Sequence, residues 1–193
     1  GKHNVDAMVA HEGYRIYGYA LSADKSNQYS PANDELDGAV VMGSASSYTT
    51  DYNTESWLGR AQYNYDDTYF LSLSYVREAS SMFHPDNRWG NFWSVGAGWL
   101  INNEKWFNVS WIDYLKLKAS YGENGNDNID SYLYHNTDES VNNNNHVSIV
   151  PITMGNKDIT WEKNGKFNVG VDFGIFGDRL TGSVEYYSNN TYD

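Results

Sequence analysis

The sequence predicts an all-β chain of antiparallel, up-and-down strands. Segment 92–101 gives the first indication, because Trp93, Val95, Ala97 and Trp99 occupy every second position with small or polar residues between them. Strict alternation sends successive side chains to opposite faces of a strand. The same alternation recurs along the chain and predicts about seven strands, at residues 5–12, 55–64, 68–77, 92–101, 114–122, 165–175 and 179–188.

Aromatic residues bracket the apolar face of several of these segments. Tyr69 and Tyr75 enclose Leu71 and Leu73, while the opposite face of the same strand carries serines. A barrel strand in a membrane has this pattern, with hydrocarbon outside, a polar interior and aromatic rings at the two interfaces. We therefore expect about seven strands of a larger transmembrane β-barrel. A soluble β-sandwich also alternates, and the pattern by itself leaves that fold open.

The connections between the predicted strands alternate in length. Short turns are expected at 65–67 and 177–178, medium connections at 78–90 and 102–113, and long loops at about 13–54 and 123–163. Within the first long loop, the apolar run 39–42 is the one candidate strand. Barrels of the bacterial outer membrane have short turns on the periplasmic side and long loops outside the cell. The two long segments are therefore predicted to be extracellular-type loops.

The composition excludes several function classes. The 193 residues contain no cysteine, so disulfides and thiolate metal sites are absent. A formal charge of −12 disfavours a nucleic-acid partner, because phosphate is repelled by an acidic surface. The five histidines are scattered singly, and segment 123–130 lacks the glycine and glutamate positions of a calcium loop. We expect no catalytic site, no metal and no cofactor, so the sequence predicts that this is not an enzyme.

Two sets of residues are candidates for substrate contact. The first comprises charged residues on the polar face of the predicted strands, which would either line a substrate path or pair with one another: Arg60, Lys116, Lys118 and Asp172. The second comprises loop tyrosines, which would either stack on sugar rings or pack against their own loops: Tyr14, Tyr17, Tyr19, Tyr48, Tyr52, Tyr132 and Tyr134.

A series of short motifs, in order, resembles one known family. They include the turn 64–67, Asn87-Arg88-Trp89-Gly90, the segment 115–122 followed by Gly125-Asn126, Trp161-Glu162 and Tyr186-Tyr187. Over residues 55–193 the chain is similar to the SusC/RagA-type TonB-dependent transporters of the Bacteroidetes outer membrane. Each motif is weak alone, and the order and spacing of the set carry the resemblance.

The resemblance implies an energy-coupled importer of oligosaccharides or peptides in the bacterial outer membrane. Such proteins are barrels of about 22 strands with a plugged lumen. The partners implied are a SusD-type surface lipoprotein, TonB through an N-terminal region, membrane lipid, and a glycan or peptide substrate. On this view residues 1–193 are a mid-to-late part of the barrel, without the plug domain or the closing strand. The alternative is a secreted or surface β-sandwich that binds glycans through exposed aromatics.

Overall fold

The computed structural model describes residues 1–192. In this part of the chain the backbone hydrogen bonds define nine strands: β1 (His3–Gln28), β2 (Ala39–Tyr65), β3 (Tyr69–Ser80), β4 (Trp89–Leu100), β5 (Ile112–Asn126), β6 (Thr137–Asn143), β7 (His146–Thr153), β8 (Glu162–Ile175) and β9 (Leu180–Tyr192). Two single-turn 3-10 helices occur at Leu36–Gly38 and Ile101–Asn103. No helix in the described residues is long and apolar enough to cross a membrane.

Seven of the strands form one sheet in the order β1-β2-β3-β4-β5-β8-β9. The strands follow one another across the sheet in the order of the chain, and the pairs from β2 to β9 are antiparallel. This meander confirms the predicted up-and-down topology and the predicted number of strands. The β-sandwich alternative is wrong, because a sandwich requires two sheets packed face to face and these seven strands form a single one.

The strand register sorts the side chains of this sheet by polarity. Leu73 pairs with Ala61 on one side and Val95 on the other, which places all three on one face. We call this apolar side the outer face. The neighbouring row contains Ser74 and Ser94 and belongs to the opposite side, which we call the inner face. The period-two alternation of the sequence is therefore kept in register across adjacent strands.

Large apolar side chains on the outer face are not covered by protein. Leu73 is 48% exposed, Trp93 43% and Trp57 50%. The buried hydrophobic residues in the described part of the chain are few and lie elsewhere: Ala39, Ala79, Phe83, Phe92, Ile101 and Trp161. A continuous exposed apolar face of this kind requires an apolar environment.

Aromatic side chains cluster towards both ends of the outer face. At one end Tyr69 stacks on Trp99 with 6.3 Å between ring centroids, and Trp106 lies 6.2 Å from Trp99. At the other end Trp93 lies 5.3 Å from Tyr121. Trp93 and Trp99 are six residues apart, or about 20 Å along the strand. The arrangement is that of two aromatic belts flanking an apolar band.

The two predicted short turns are confirmed, and both use left-handed backbone. Asp66 and Asp67 have φ values of 52° and 50°, and the Asn64 amide donates to the Asp67 carboxylate at 2.5 Å. Asp and Asn tolerate this conformation and stabilise it through side-chain hydrogen bonds. In the second turn Gly177 has φ 69°, and the Asp113 carboxylate accepts a 2.7 Å hydrogen bond from its N–H.

Within the described residues, 14–53 form one compact unit, and 1–13 with 54–192 form another. Most of this segment, expected as an irregular loop, is strand, because β1 runs to Gln28 and β2 begins at Ala39. Its Tyr, Thr, Val and Ile residues favour extended backbone, while no buried face imposes alternation. The segment 123–163 also contains strands that were not predicted, namely the separate two-stranded sheet β6-β7.

Candidate functional site on the inner face

The inner face is concave and polar. A cavity of about 780 Å³ lies over it, and amide and hydroxyl side chains such as Gln62, Ser72, Ser120 and Asn168 contribute to its lining. Two of the predicted residues, Lys116 and Lys118, line the same cavity. The inner face therefore combines many uncharged hydrogen-bonding groups with a small number of ionic ones.

The ionic groups are concentrated at Lys118. Its Nζ atom lies 2.9 Å from Asp172 Oδ1 and forms a second ion pair with Glu185. The Ser183 hydroxyl donates to Asp172 Oδ1 at 2.6 Å. The network joins three adjacent strands, β5, β8 and β9. Of the predicted residues, Lys118 and Asp172 are brought together, whereas Glu185 was not among the candidates.

A glycine makes this reach across the sheet possible. Gly170 on β8 pairs with Lys118 on one side and Glu185 on the other. A Cβ atom there would lie 3.0 Å from Lys118 Cε and 2.9 Å from Glu185 Cγ. Because Gly170 has no side chain, Lys118 can lie flat over β8 and reach the carboxylate on β9.

The other two predicted charges are outside this network. Lys116 Nζ lies 5.2 Å from the centre of the Phe70 ring, in cation–π geometry. Arg60 is exposed on β2, with no ion-pair partner within residues 1–192. Of the predicted charges, Arg60 is therefore free to bind a ligand, and Lys116 is held over an aromatic ring.

The five predicted tyrosines of residues 14–53 have exposed or half-exposed rings. Tyr17, Tyr19 and Tyr48 are each 64% exposed. Tyr14 and Tyr52 meet edge to face at 6.5 Å, and the Arg15 guanidinium lies 5.9 Å from the Tyr17 ring. These rings are available for stacking.

Two carboxylates fix the strand pairing within residues 14–53. The Arg15 guanidinium donates to both oxygens of Asp51, at 3.0 and 2.7 Å, and these hydrogen bonds lower the pKa of Asp51. Asp24 accepts from the hydroxyl and the backbone N–H of Ser44, which lowers its pKa as well. We call the paired strand segments of residues 14–53 the ribbon. Folding of the ribbon therefore favours the charged form of each carboxylate.

Tyr132 and Tyr134 differ from one another. Tyr132 is 49% exposed and has a left-handed backbone with φ 66°. Tyr134 is half-buried and packs edge-on against His84 at 5.8 Å and beside His135 at 4.1 Å. Tyr134 therefore packs within its loops, whereas Tyr132 has a ring surface open to a ligand.

Sequence reasoning missed the most buried cluster of the chain. Phe83, Phe92 and Trp161 pack together, with Val76, Ile129 and Ile159 around them. We call these three buried rings the aromatic anchor. Its members come from three distant segments, and the available signal was that Trp161 and the glycines at 90 and 125 belong to the motifs of the resemblance.

Within residues 1–192, no group of three or more histidine, aspartate or glutamate side chains is arranged to hold a metal ion. The inner face can form hydrogen bonds and ion pairs with a polar ligand. An apolar outer face with aromatic belts, a polar inner face and an up-and-down meander together define a segment of a transmembrane β-barrel.

The family model described as "TonB dependent receptor-like, beta-barrel" matches residues 2–193. The chain is 34% identical over 148 residues to TonB-dependent receptor P39 of Formosa agariphila, which covers 75% of this chain and 14% of that protein. It is 31% identical over 155 residues to TonB-dependent receptor SusC of Bacteroides thetaiotaomicron, covering 76% of this chain and 16% of that protein.

A solved structure agrees with these matches. The RagAB peptide importer in its 'closed-closed' state superposes with a TM-score of 0.91 at 28% identity, over 100% of this chain and 22% of the RagAB chain. The chain therefore belongs to the TonB-dependent receptor β-barrel family, and the predicted resemblance and outer-membrane location are confirmed. It spans only 14% and 16% of the length of these two curated relatives.

Proposed function

We propose that this chain is part of a TonB-linked outer-membrane importer that takes up oligosaccharides or peptides together with a SusD-type surface lipoprotein. The observation that carries the proposal is the contrast between the two faces of the seven-stranded sheet. An outer face of exposed Leu, Val and Trp suits lipid, and an inner face of amides, hydroxyls and a few charges suits a hydrated passage.

The chemistry of the inner face supports an uncharged polar substrate. Gln62, Asn168, Ser72 and Ser120 offer both donors and acceptors, which match the amides of a peptide backbone or the hydroxyls of a sugar. The ion pairs of Lys118 are satisfied within the protein. One similar protein is named a peptide importer, and the inner-face groups match sugar hydroxyls equally well, so both substrate classes stay within the proposal.

Each set of candidate residues has a place in this proposal. Arg60, Lys116, Lys118 and Asp172 contribute to the wall of the substrate path. The loop tyrosines, above all the exposed Tyr17, Tyr19, Tyr48 and Tyr132, provide stacking surfaces at the extracellular mouth, whereas Tyr134 supports its own loops. We further infer that the protein acts by binding and transport and not by catalysis. TonB would engage a region outside these 193 residues.

Deletion of the full-length gene in its native host, followed by uptake assays, tests the proposal. The probes are fluorescently labelled peptides from a casein digest and, separately, labelled maltooligosaccharides. Uptake of one probe should fall at least tenfold in the deletion strain and in a TonB-deficient strain, and the full-length gene should restore it. Unchanged uptake of both probes would contradict an importer of these substrate classes.

The partner is tested by purification of the tagged full-length protein in mild detergent. We expect a surface lipoprotein to co-purify in a stoichiometric amount. If the receptor is recovered alone from membranes in which uptake is active, the proposed partner is wrong. The result of the uptake assay does not depend on this outcome.

A further inference from the structure

The aromatic anchor lies where three loop and strand segments meet on the inner face. Val76 pairs with Phe92 across β3 and β4, two residues along the strands from the Ser74–Ser94 pair, which places both side chains on that face. Phe83 is fully buried, and Phe92 and Trp161 are 4% and 5% exposed. In the described residues no other cluster is as buried as this one.

Two glycines allow the rings to lie directly on the backbone. A Cβ atom on Gly90 would lie 2.5 Å from Phe92 Cζ and 2.9 Å from Trp161 Cδ1. A Cβ atom on Gly125 would overlap the Phe92 ring and lie 2.6 Å from Trp161 Cε3. Real Cβ atoms do not approach other atoms so closely, so both positions require glycine for packing and not for a special backbone conformation.

The anchor holds both ends of the long segment 127–161. At its start, Asp127 accepts a 2.6 Å hydrogen bond from the buried Ser80 hydroxyl, and Ile129 packs on the anchor. At its end, Ile159 packs on the anchor and Trp161 Nε1 donates to the Arg88 carbonyl at 2.8 Å. The whole stretch between them, including the β6-β7 hairpin, is therefore a loop closed at one point.

Further bonds join the end of this segment to the β3-β4 loop. The Asn87 side chain donates to the Lys157 carbonyl at 2.8 Å, and the Thr160 hydroxyl donates to the Asn87 carbonyl at 3.0 Å. On its other side, Asn156 N–H donates to the Leu133 carbonyl at 2.9 Å. The backbone at Lys157 is thus fixed from two directions although the residue itself is exposed.

We infer that the aromatic anchor is a positioning device that fixes segment 127–161 as a rigid wall over the end of the inner face opposite the short turns. The role as a wall rests on the proposed function, because segment 127–161 can bound a substrate path only if the protein transports a substrate. The fixation itself is a property of the fold. Phe83, Phe92 and Trp161 act on a ligand through the segment that they hold.

Trypsin cleavage after Lys157 measures the fixation directly. A protease requires its substrate bond in an extended, released backbone, so a closed loop protects an exposed site. The experiment uses the full-length protein in its native outer membrane, with fragments quantified by mass spectrometry. Gly125→Ala should increase the cleavage rate after Lys157 by at least about tenfold. Gly59→Ala is the matched control, because a Cβ atom at Gly59 meets nothing within 4 Å, and it should leave the rate unchanged.

Three further variants keep the test informative if Gly125→Ala reduces the amount of folded protein. Trp161→Phe keeps an aromatic ring at this position but loses the N–H donor, and should keep most of the protection that Trp161→Ala removes. Asn87→Ala removes the bond to the Lys157 carbonyl without changing the anchor, and should increase cleavage about threefold. Equal cleavage after Lys157 in the native protein and in all of these variants would overturn the inference.

A transport measurement separates positioning from simple structural support. With whichever labelled probe the uptake assay identifies, Trp161→Ala should raise the half-saturating concentration at least about fivefold at an unchanged amount of folded protein, while the maximal rate falls less than twofold. Trp161→Phe should restore the native value. Increased cleavage with unchanged half-saturation would show a fixed loop that does not face the ligand, and would overturn its role as a wall of the path. The result of the cleavage experiment does not depend on transport activity.

Discussion

The two faces of the seven-stranded sheet are built from the same strands and differ in what they leave exposed. On the outer face, Leu73 and Trp93 are nearly half exposed and no protein covers them. On the inner face, Lys118 meets both of its carboxylate partners within the sheet. The difference teaches that polarity here is inverted relative to a soluble protein: the apolar surface is directed outward, and the satisfied polar groups lie within.

The largest expected effect comes from placing a charge on the outer face. Leu73→Lys puts an ammonium group in the middle of the apolar band, which costs about 2–4 kcal/mol at the bilayer midplane. Ser72→Lys is the matched control, since Ser72 lines the polar cavity of the inner face. The folded amount of the full-length protein in the outer membrane, and its urea midpoint after reconstitution, measure the effect. Equal losses in the two variants would remove the distinction between the faces.

The inner face should tolerate a change of charge better. Lys118→Met leaves Asp172 and Glu185 close together without a cation, and because all three side chains are partly exposed and screened by solvent, the loss of stability should be much smaller than that of Leu73→Lys. Combining Lys118→Met with Asp172→Asn and Glu185→Gln should recover most of the loss. The shift in urea midpoint checks both. A loss of stability as large as that of Leu73→Lys would mean that the ion-pair network is a structural core and not a solvated surface.

The smallest effect concerns residues 14–53, whose ribbon has no buried core of its own in the described structure apart from Ala39. Hydrogen bonds from Arg15 and Ser44 lower the pKa of Asp51 and Asp24 below the unfolded value of about 3.9. The stabilisation is fully present above that value and is lost as the pH falls through the folded-state pKa values.

Pepsin cleavage within residues 14–53 measures this pH dependence, corrected for the rate on an unstructured reference peptide. Cleavage of the native protein should rise between pH 4 and pH 2. The double variant Asp24→Asn with Asp51→Asn should show the same corrected rate at both pH values. A native ribbon with pH-independent cleavage would show that these carboxylates do not contribute to its pairing.

Most of the fold could be predicted because the two faces impose alternation on the sequence. β3, β4 and β8 were found to within a few residues, since lipid on one side and water on the other leave a period-two pattern. The continuation of β1 to Gln28 and the start of β2 at Ala39 were not predicted. A ribbon with both faces exposed has no such pattern to display.

The candidate site was predicted in part for similar reasons. Lys118 and Asp172 are charged residues on the polar face of two strands, and the strand register places them close enough to form an ion pair. Glu185 completes the network only because Gly170 lets Lys118 cross β8, a contact that no single strand reveals. The aromatic anchor was missed because Phe83, Phe92 and Trp161 are far apart in sequence, and tertiary packing alone brings them together.

A cysteine scan along β4 of the full-length protein tests the central claim, that the outer face meets lipid and the inner face meets water. Residues 1–193 contain no cysteine, and any cysteines elsewhere in the protein would first be replaced. Single cysteines at Ser94, Val95, Gly96 and Ala97 would carry a fluorophore in reconstituted vesicles. We predict that nitroxide lipids quench the labels at 95 and 97, and that aqueous iodide quenches those at 94 and 96. Equal access of iodide to all four positions would contradict the account.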